Sequence, residues 1–148
     1  GVLVKEDIYE TFMTGPEDNI EFYHGYTYSG HPLAAAAGLA TLHVYEEEGL
    51  FARAKSLAPI LEEELQTIKG SPYVIDIRNY GLLGGVELEP IAGKPTTRAM
   101  SVFRQCFDNG LLVRTTGDTI ALCPPLIASE DQVRTVVAKL KESLNSID

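Results

Sequence analysis

The sequence predicts an α+β fold in which helices pack on a small antiparallel sheet. Apolar residues recur every three to four positions in several long segments, which is the pattern of helices with one buried face. Short segments rich in β-branched residues lie between them and are separated by glycine-containing turns, as hairpin strands are. With 45% hydrophobic and 22% charged residues, the chain has enough apolar surface for a packed core.

The composition limits the classes of function. The chain has 148 residues with 12 basic and 21 acidic side chains, so its formal net charge is −9. This length suits one domain, or one domain with part of another. The basic residues are outnumbered and scattered, which argues against nucleic acid and anionic membrane surfaces as partners, because both require a basic face.

Compartment signals are few. No apolar stretch is long enough for a membrane helix, and the N-terminus does not resemble a signal peptide. Two cysteines, Cys106 and Cys123, do not form a CxxC pair. They favour a reducing, cytoplasmic setting.

The first third of the chain is predicted to contain two helices separated by a long loop. A short strand at residues 2–4 leads into a short amphipathic helix at 5–13. The loop at 17–31 is crowded with aromatic residues and glycines, and loops of this length are usually functional. Pro32 suits the start of the next helix, predicted at 33–48, because the first helical position does not need the N–H that proline lacks.

The helix at 33–48 carries an apolar, alanine-rich face at residues 34–38. Small side chains permit close packing, so we expect this face to be buried against neighbouring structure. In a chain that lacks those neighbours the face would be exposed, and we expect the isolated chain to self-associate. Gly49 is the predicted C-cap of the helix.

The remaining residues are predicted to form three helices and two hairpins. The elements are a helix at 50–68, strands at 73–78 and 83–88 around a turn at Tyr80-Gly81, a helix capped by Thr96 and ending near 108, strands at 111–114 and 119–122 around a turn at 115–118, and a helix from a Ser129 capping box to about 144.

Metal and nucleophile sites receive little support. The three histidines, His24, His31 and His43, are spaced by seven and twelve residues, which matches no zinc-ligand pattern. Ser29 does not lie in a GxSxG motif. Cys123 is predicted to lie inside an apolar strand, where a structural thiol is the default.

Residues 24–32 bring hydroxyls and flexible backbone to a helix N-terminus. Unpaired N–H groups and the helix dipole favour an anion there, and a phosphate is the natural candidate. The alternative is that Ser29 caps the helix and the tyrosines pack the loop. On these physical grounds alone the alternative is favoured.

Arg114 is predicted at the end of an apolar strand, next to a glycine-containing turn. Its planar guanidinium is suited to a carboxylate. A surface ion pair with Asp118 is the alternative, and such a pair contributes little stability. Physical reasoning leaves these two interpretations even.

Several motifs occur together, in one order and at one spacing. They are residues 26–32 before an alanine-rich helix, residues 84–88, residues 110–114, Gly117-Asp118 and Pro124-Pro125. Taken together they resemble the C-terminal part of class III pyridoxal-phosphate aminotransferases. Within that class the chain is most similar to omega-amino acid–pyruvate and beta-alanine–pyruvate transaminases. The resemblance covers essentially the whole chain.

The resemblance implies an α/β enzyme of fold-type I that is active as a homodimer, with active sites at the subunit interface. Residues 1–44 would be the end of the large cofactor-binding domain, and residues 45–148 the small C-terminal domain. The family pattern implies that Thr27 and the backbone amide of Tyr26 bind the phosphate of pyridoxal 5'-phosphate held mostly by the other subunit. Arg114 would bind the substrate carboxylate and swing aside for amines without one.

The reaction implied is a ping-pong exchange in which an amino donor leaves its nitrogen on the cofactor and pyruvate collects it as alanine. The donor stays open: beta-alanine, a longer omega-amino acid or a simple amine. The family's Schiff-base lysine and its aspartate partner for the pyridine ring lie upstream of the segment that matches Gly1. The six lysines present lie in contexts unlike that of the family lysine.

We therefore expect the chain to be a fragment that has no transaminase activity alone. Two alternatives stay open. One is a free-standing α+β module that binds a small phosphorylated or carboxylated ligand without chemistry, since a fold does not determine a function. The other is a purely structural dimerisation domain.

Overall fold

The computed structural model describes residues 3–17 and 25–147. The chain divides into two compact units, Gly1–Ala40 and Thr41–Asp148. The elements, in chain order, are helices α1 (Glu6–Phe12), α2 (Pro32–Glu47) and α3 (Leu50–Gln66), strands β1 (Val74–Tyr80) and β2 (Leu83–Leu88), helix α4 (Thr97–Asp108), strands β3 (Arg114–Thr116) and β4 (Thr119–Leu122), and helix α5 (Glu130–Asn145).

The first unit contains α1 and the beginning of α2. Pro32 is the first residue of α2, as its missing N–H predicts. The short strand expected at residues 2–4 is not confirmed, because Leu3 and Val4 belong to no regular element and Val2 lies outside the described residues. Part of the predicted loop, residues 18–24, also lies outside them.

Helix α2 has no buried residue in this chain. Its leucines are largely exposed, with Leu33 at 77%, Leu39 at 62% and Leu42 at 56%. The alanine-rich face of α2 is therefore not buried in this chain. It is exposed, as expected for a chain that lacks the neighbouring structure. The helix ends at Glu47, and Gly49 just beyond it has a φ of 59°, the left-handed conformation common for a glycine that follows a helix.

The second unit is built on a four-stranded antiparallel sheet with the strand order β1-β2-β4-β3. Each hairpin closes with a two-residue turn that begins with a glycine at positive φ, Gly81 at 57° and Gly117 at 59°. That conformation is readily available to glycine and suits the twist of paired strands.

Helices α3, α4 and α5 pack together and cover one face of this sheet. We call it the inner face, and the opposite face the outer face. Inward side chains of the central strands, such as Val86 and Ile120, are fully buried with Leu61, Leu65 and Leu140 of the helices. The predicted fold, helices packed on a small antiparallel sheet, is confirmed.

The second hairpin differs from its prediction. The strand expected at 111–114 begins only at Arg114, and the turn expected at 115–118 is reduced to Gly117 and Asp118. Pairing with β4 stops at Arg114 and Ala121. In this register Leu111 would lie opposite Pro124, which has no N–H, so the ladder cannot extend over the whole strand expected at 111–114. Arg114 is therefore the first residue of a strand and not the last.

Helix starts give one confirmed prediction and one correction. Ser129 forms the predicted capping box, with its hydroxyl accepting from the Gln132 N–H and the Gln132 side chain accepting from the Ser129 N–H. Thr96 stands at the N-cap of α4, but its side chain makes no capping hydrogen bond. Its φ of 66° is left-handed, unlike the extended backbone of a side-chain N-cap.

No helix among the described residues is long and apolar enough to cross a membrane.

Candidate functional site

The loop that contains Thr27 consists of two successive turns that lead into α2. The Ser29 N–H donates to the Tyr26 carbonyl at 2.8 Å, and the His31 N–H donates to the Tyr28 carbonyl at 3.2 Å. The third residue of each turn has positive φ, with Tyr28 at 65° and Gly30 at 70°. Hydrogen-bonded turns of this kind fix the backbone conformation of a loop without a helix or a strand.

Thr27 is the second residue of the first turn, and it is exposed. Neither its hydroxyl nor its N–H makes a hydrogen bond with a described residue. One residue thus offers two donors of the kind that a phosphate oxygen accepts. The adjacent Tyr26 is 72% exposed. The two donors of Thr27 are therefore compatible with an anionic group at this loop.

Arg114 belongs to the second unit, at the start of the edge strand β3. It is exposed and lies at a cleft of about 1290 Å³ that is lined by residues 110–116, residues 121–125 and one side of α5. Within the described part of the chain the lining contains no carboxylate. Lys139 is the other cation of the lining, and its ammonium donates to the Asn109 carbonyl at 2.7 Å.

The Arg114 guanidinium makes no hydrogen bond or ion pair with any residue in the described ranges. The alternative pair with Asp118 does not form. The Asp118 carboxylate instead accepts the backbone N–H of Thr96 at 2.8 Å. Of the two interpretations of Arg114, the structure therefore removes the surface ion pair and leaves a cation available to a carboxylate.

The outer face of the sheet carries a second arginine in line with Arg114. Arg78 on β1 pairs with Gly85, Gly85 with Ala121, and Ala121 with Arg114. The side chains of paired residues in antiparallel strands point to the same face of the sheet. The two arginines therefore share the outer face, with one on each edge strand. Three strand spacings put their Cα atoms about 14 Å apart.

The two arginines differ in their neighbours. Arg78 donates to Asp76 at 2.5 Å and to Glu87 at 2.6 Å. The hydrogen bond to Asp76 and, to a smaller extent, that to Glu87 raise the pKa of Arg78. The side chain is about half exposed, so these pairs contribute little stability. Sequence reasoning missed this cluster. The alternation of Asp76 and Arg78 along one strand was its available signal, because residues two apart share a face.

Comparison with known proteins identifies the family. A sequence profile described as aminotransferase class-III matches residues 1–144. The chain belongs to the class-III aminotransferase family.

Two curated relatives lie close to this class-III chain. An omega-aminotransferase of Caulobacter vibrioides is 50% identical over 141 residues, which are 95% of this chain and 32% of that protein. A beta-alanine–pyruvate aminotransferase of Pseudomonas aeruginosa is 39% identical over 148 residues, which are 99% of this chain and 33% of that protein. The chain thus spans about a third of the length of the curated relatives that it matches.

A solved structure supports the family assignment. The omega transaminase of Pseudomonas jessenii in complex with PMP superposes with a TM-score of 0.74 at 34% identity, covering 82% of this chain and 28% of that one. The class-III chain accordingly has the fold of the matching part of a fold-type I transaminase.

The other candidate residues of the class-III chain contribute less. His24 lies outside the described residues, and within the described ranges no group of three or more His, Cys, Asp or Glu could hold a metal ion. Cys123 was predicted inside a strand, which is wrong: it follows the end of β4 and is exposed. Cys106 is the buried thiol, and this burial raises its pKa against a smaller opposing effect of the Ser143 hydrogen bond.

Proposed function

We propose that the native protein is a pyridoxal-phosphate-dependent aminotransferase that moves an amino group from an omega-amino acid or amine, such as beta-alanine, to pyruvate. The names of the two curated relatives support this reaction, since one is an omega-aminotransferase and the other a beta-alanine–pyruvate aminotransferase. When bound, pyridoxal phosphate supplies the electron sink that lets nitrogen be exchanged between carbon skeletons. The two free cysteines support a cytoplasmic location.

The observation that carries the proposal is the free guanidinium of Arg114. It lies at a cleft whose described lining has no carboxylate, and no described residue pairs with it. A planar guanidinium binds a carboxylate through two parallel hydrogen bonds, which fixes both position and orientation. Arg114 therefore holds the carboxylate of the amino donor and of pyruvate. Arg78, already bonded to Asp76 and Glu87, is a poorer site for a further carboxylate.

Thr27 and Tyr26 bind the cofactor phosphate in this proposal. The Thr27 hydroxyl and the Tyr26 backbone amide donate to phosphate oxygens, at a helix N-terminus whose dipole favours an anion. The turns that end at Ser29 and His31 hold the loop in position. Removal of the threonine hydroxyl removes one donor to a dianion.

The assembly of the active site requires more than this chain. We propose that residues 1–44 belong to the large cofactor-binding domain and residues 45–148 to the small domain, and that two subunits form a homodimer with shared active sites. In this arrangement Thr27 binds the phosphate of the cofactor held mostly by the other subunit. The lysine that attaches the cofactor has no counterpart among the six lysines of the chain.

Expression of the native gene tests the proposal. The intact mass of the product is measured first, followed by formation of alanine from pyruvate with beta-alanine as donor and pyridoxal phosphate added. Activity from a product much longer than 148 residues is the expected result. A product of this length that binds phosphate or carboxylate without exchange would favour a small-ligand-binding module instead.

Variants of Thr27 test the cofactor site in the same product. Thr27→Val keeps the size of the side chain and removes the hydroxyl, so the dissociation constant of pyridoxal phosphate should rise about tenfold or more. Thr27→Ser keeps the hydroxyl and serves as the matched control. Equal affinity in the valine and serine variants would contradict the assigned role.

A further inference from the structure

The edge strand that carries Arg114 has few backbone restraints. Strand β3 is three residues long and pairs with β4 alone. An arginine that orients a carboxylate must be held in place, because a misplacement of about 1 Å can cost much of the binding interaction. The contacts that join the β3–β4 hairpin to the rest of the second unit therefore determine how well Arg114 is positioned.

Two side chains join this hairpin to α4. The Thr115 hydroxyl contacts the Met100 sulfur at 3.7 Å, which is a weak hydrogen bond. At the tip, the Asp118 carboxylate accepts the Thr96 N–H at 2.8 Å. The charged acceptor makes this the stronger of the two links.

Asp118 is also tied through its backbone. Its carbonyl accepts the Leu88 N–H at 2.9 Å, at the end of β2. Asp118 thus forms hydrogen bonds at both ends of the segment between β2 and α4, with Leu88 at one end and Thr96 at the other. Leu88 and Ala99, which flank this segment, are fully buried in the core, so Asp118 links the hairpin tip to the packed part of the unit.

The Thr96 end of the link explains why a hydrogen-bond acceptor from the hairpin is needed. In a capping box the side chain three residues into the helix bonds the N-cap N–H, but that position is Ala99, which is buried and has no acceptor. Asp118 supplies the acceptor from the hairpin instead. Thr96 has a φ of 66°, which is costly for a β-branched residue and persists only where the surroundings enforce it.

We propose that Asp118 is a positioning residue for substrate recognition: by holding the Thr96 N–H it fixes the β3–β4 hairpin, so that Arg114 presents its guanidinium to the substrate carboxylate. The inference rests on the proposed function of Arg114. The substrate class affected is the carboxylate-bearing donors, while primary amines without a carboxylate depend on Asp118 less.

The test compares Asp118→Ala and Asp118→Asn in the purified native gene product with pyridoxal phosphate bound. Only the first half-reaction is followed, by the absorbance change of the cofactor with the donor alone, so that pyruvate and its carboxylate are absent. Asp118→Ala should raise the beta-alanine concentration that gives half the maximal rate about tenfold and change that for butylamine less than threefold. Asp118→Asn keeps an acceptor oxygen and should recover most of the loss.

A binding measurement gives a second readout that does not depend on turnover. Propionate carries the carboxylate of beta-alanine without its amine, and its dissociation constant can be measured by calorimetry. Asp118→Ala should weaken propionate about tenfold. Equal losses for beta-alanine and butylamine, or unchanged propionate binding, would overturn the positioning role.

Arg114→Gln separates this inference from the proposed function. If Arg114→Gln does not weaken propionate, the role of Arg114 itself fails. If Arg114→Gln weakens propionate but Asp118→Ala does not, only the positioning role fails. Should both single variants weaken it, Asp118→Ala is expected to add little in the Arg114→Gln background, because it acts through the arginine. Full additivity would overturn the inference.

Discussion

Arg78 and Arg114 stand in one row across the outer face of the sheet, and of the two only Arg78 has carboxylate partners among the described residues. Gly85 and Ala121 lie between them in the row. The pair is a natural comparison, since the side chains are identical and both are exposed.

Arg114→Gln should impair carboxylate donors selectively, and Arg78→Gln should not. Loss of a bidentate charged hydrogen bond, about 1.5–3 kcal/mol, should raise the beta-alanine concentration that gives half the maximal rate by about 10- to 100-fold. Butylamine should be affected less than threefold. The measurement is the first half-reaction of the native gene product, and a matching selective loss in Arg78→Gln would contradict the choice of arginine.

The purified 148-residue chain should form no alanine from beta-alanine and pyruvate when pyridoxal phosphate is added. Its six lysines lie at Lys5, Lys55, Lys69, Lys94, Lys139 and Lys141, and we expect none of them to attach the cofactor. An assay by chromatography of alanine, with the native gene product as the positive control, checks this. Alanine formed by the chain above the level of free cofactor would disprove it.

The isolated chain should self-associate through α2. Leu33, Leu39 and Leu42 are each more than half exposed, and exposed apolar side chains promote association. Light scattering across a concentration series should report species larger than a monomer. Leu39→Lys should reduce the association, while Gln66→Lys, with the same added charge at an exposed position of α3, should not. A chain that stays monomeric at high concentration would refute the prediction.

Gly84→Ala should destabilise the second unit, and Gly85→Ala should not. A Cβ at Gly84 would lie 2.7 Å from Leu65 Cδ1, whereas at Gly85 it would meet its nearest atom at 3.5 Å, an ordinary contact. Leu65 is fully buried, so its movement costs about 1–3 kcal/mol of unfolding free energy. Urea unfolding of the two variants measures the difference, and equal midpoints would contradict it.

We expect the free energy of unfolding of the chain to fall at alkaline pH because of the Cys106 thiol. Burial raises the pKa of its thiol above the ordinary value of 9.0, so the folded chain retains the proton where the unfolded chain loses it. The stabilisation from the protonated thiol is fully present below the pKa that Cys106 has in the unfolded chain. It is lost as the pH rises through the higher pKa that Cys106 has in the folded chain.

Urea unfolding at pH 7.5 and pH 10 tests this on Cys106→Ala. The variant is less stable at the lower pH because of the lost packing, and the gap to the unmodified chain should narrow at the higher pH. Cys123→Ser, at an exposed thiol, is the control and should follow the unmodified chain. A gap that is the same at both values would rule out a role for the Cys106 thiol.

Local chemistry determined most of the fold. The start of α2 at Pro32 and the Ser129 capping box are decided within a few residues by a missing N–H and by a hydroxyl, so both could be predicted from sequence. The family resemblance could also be recognised from the sequence, because the motifs that carry it are short and lie in a fixed order along the chain. Arg114 was a candidate on its local chemistry and Thr27 through the family resemblance, and their roles stay predictions.

The tertiary structure decided what required partners distant in sequence. The extent of β3 depended on its register with β4, which places Leu111 opposite Pro124, and the acceptor for the Thr96 N–H came from Asp118, 22 residues away. Likewise, Arg78 is paired and Arg114 is not because the register of four strands brings Glu87 beside one and no described carboxylate beside the other. Such pairings depend on how strands and helices meet in space, which local propensities do not encode.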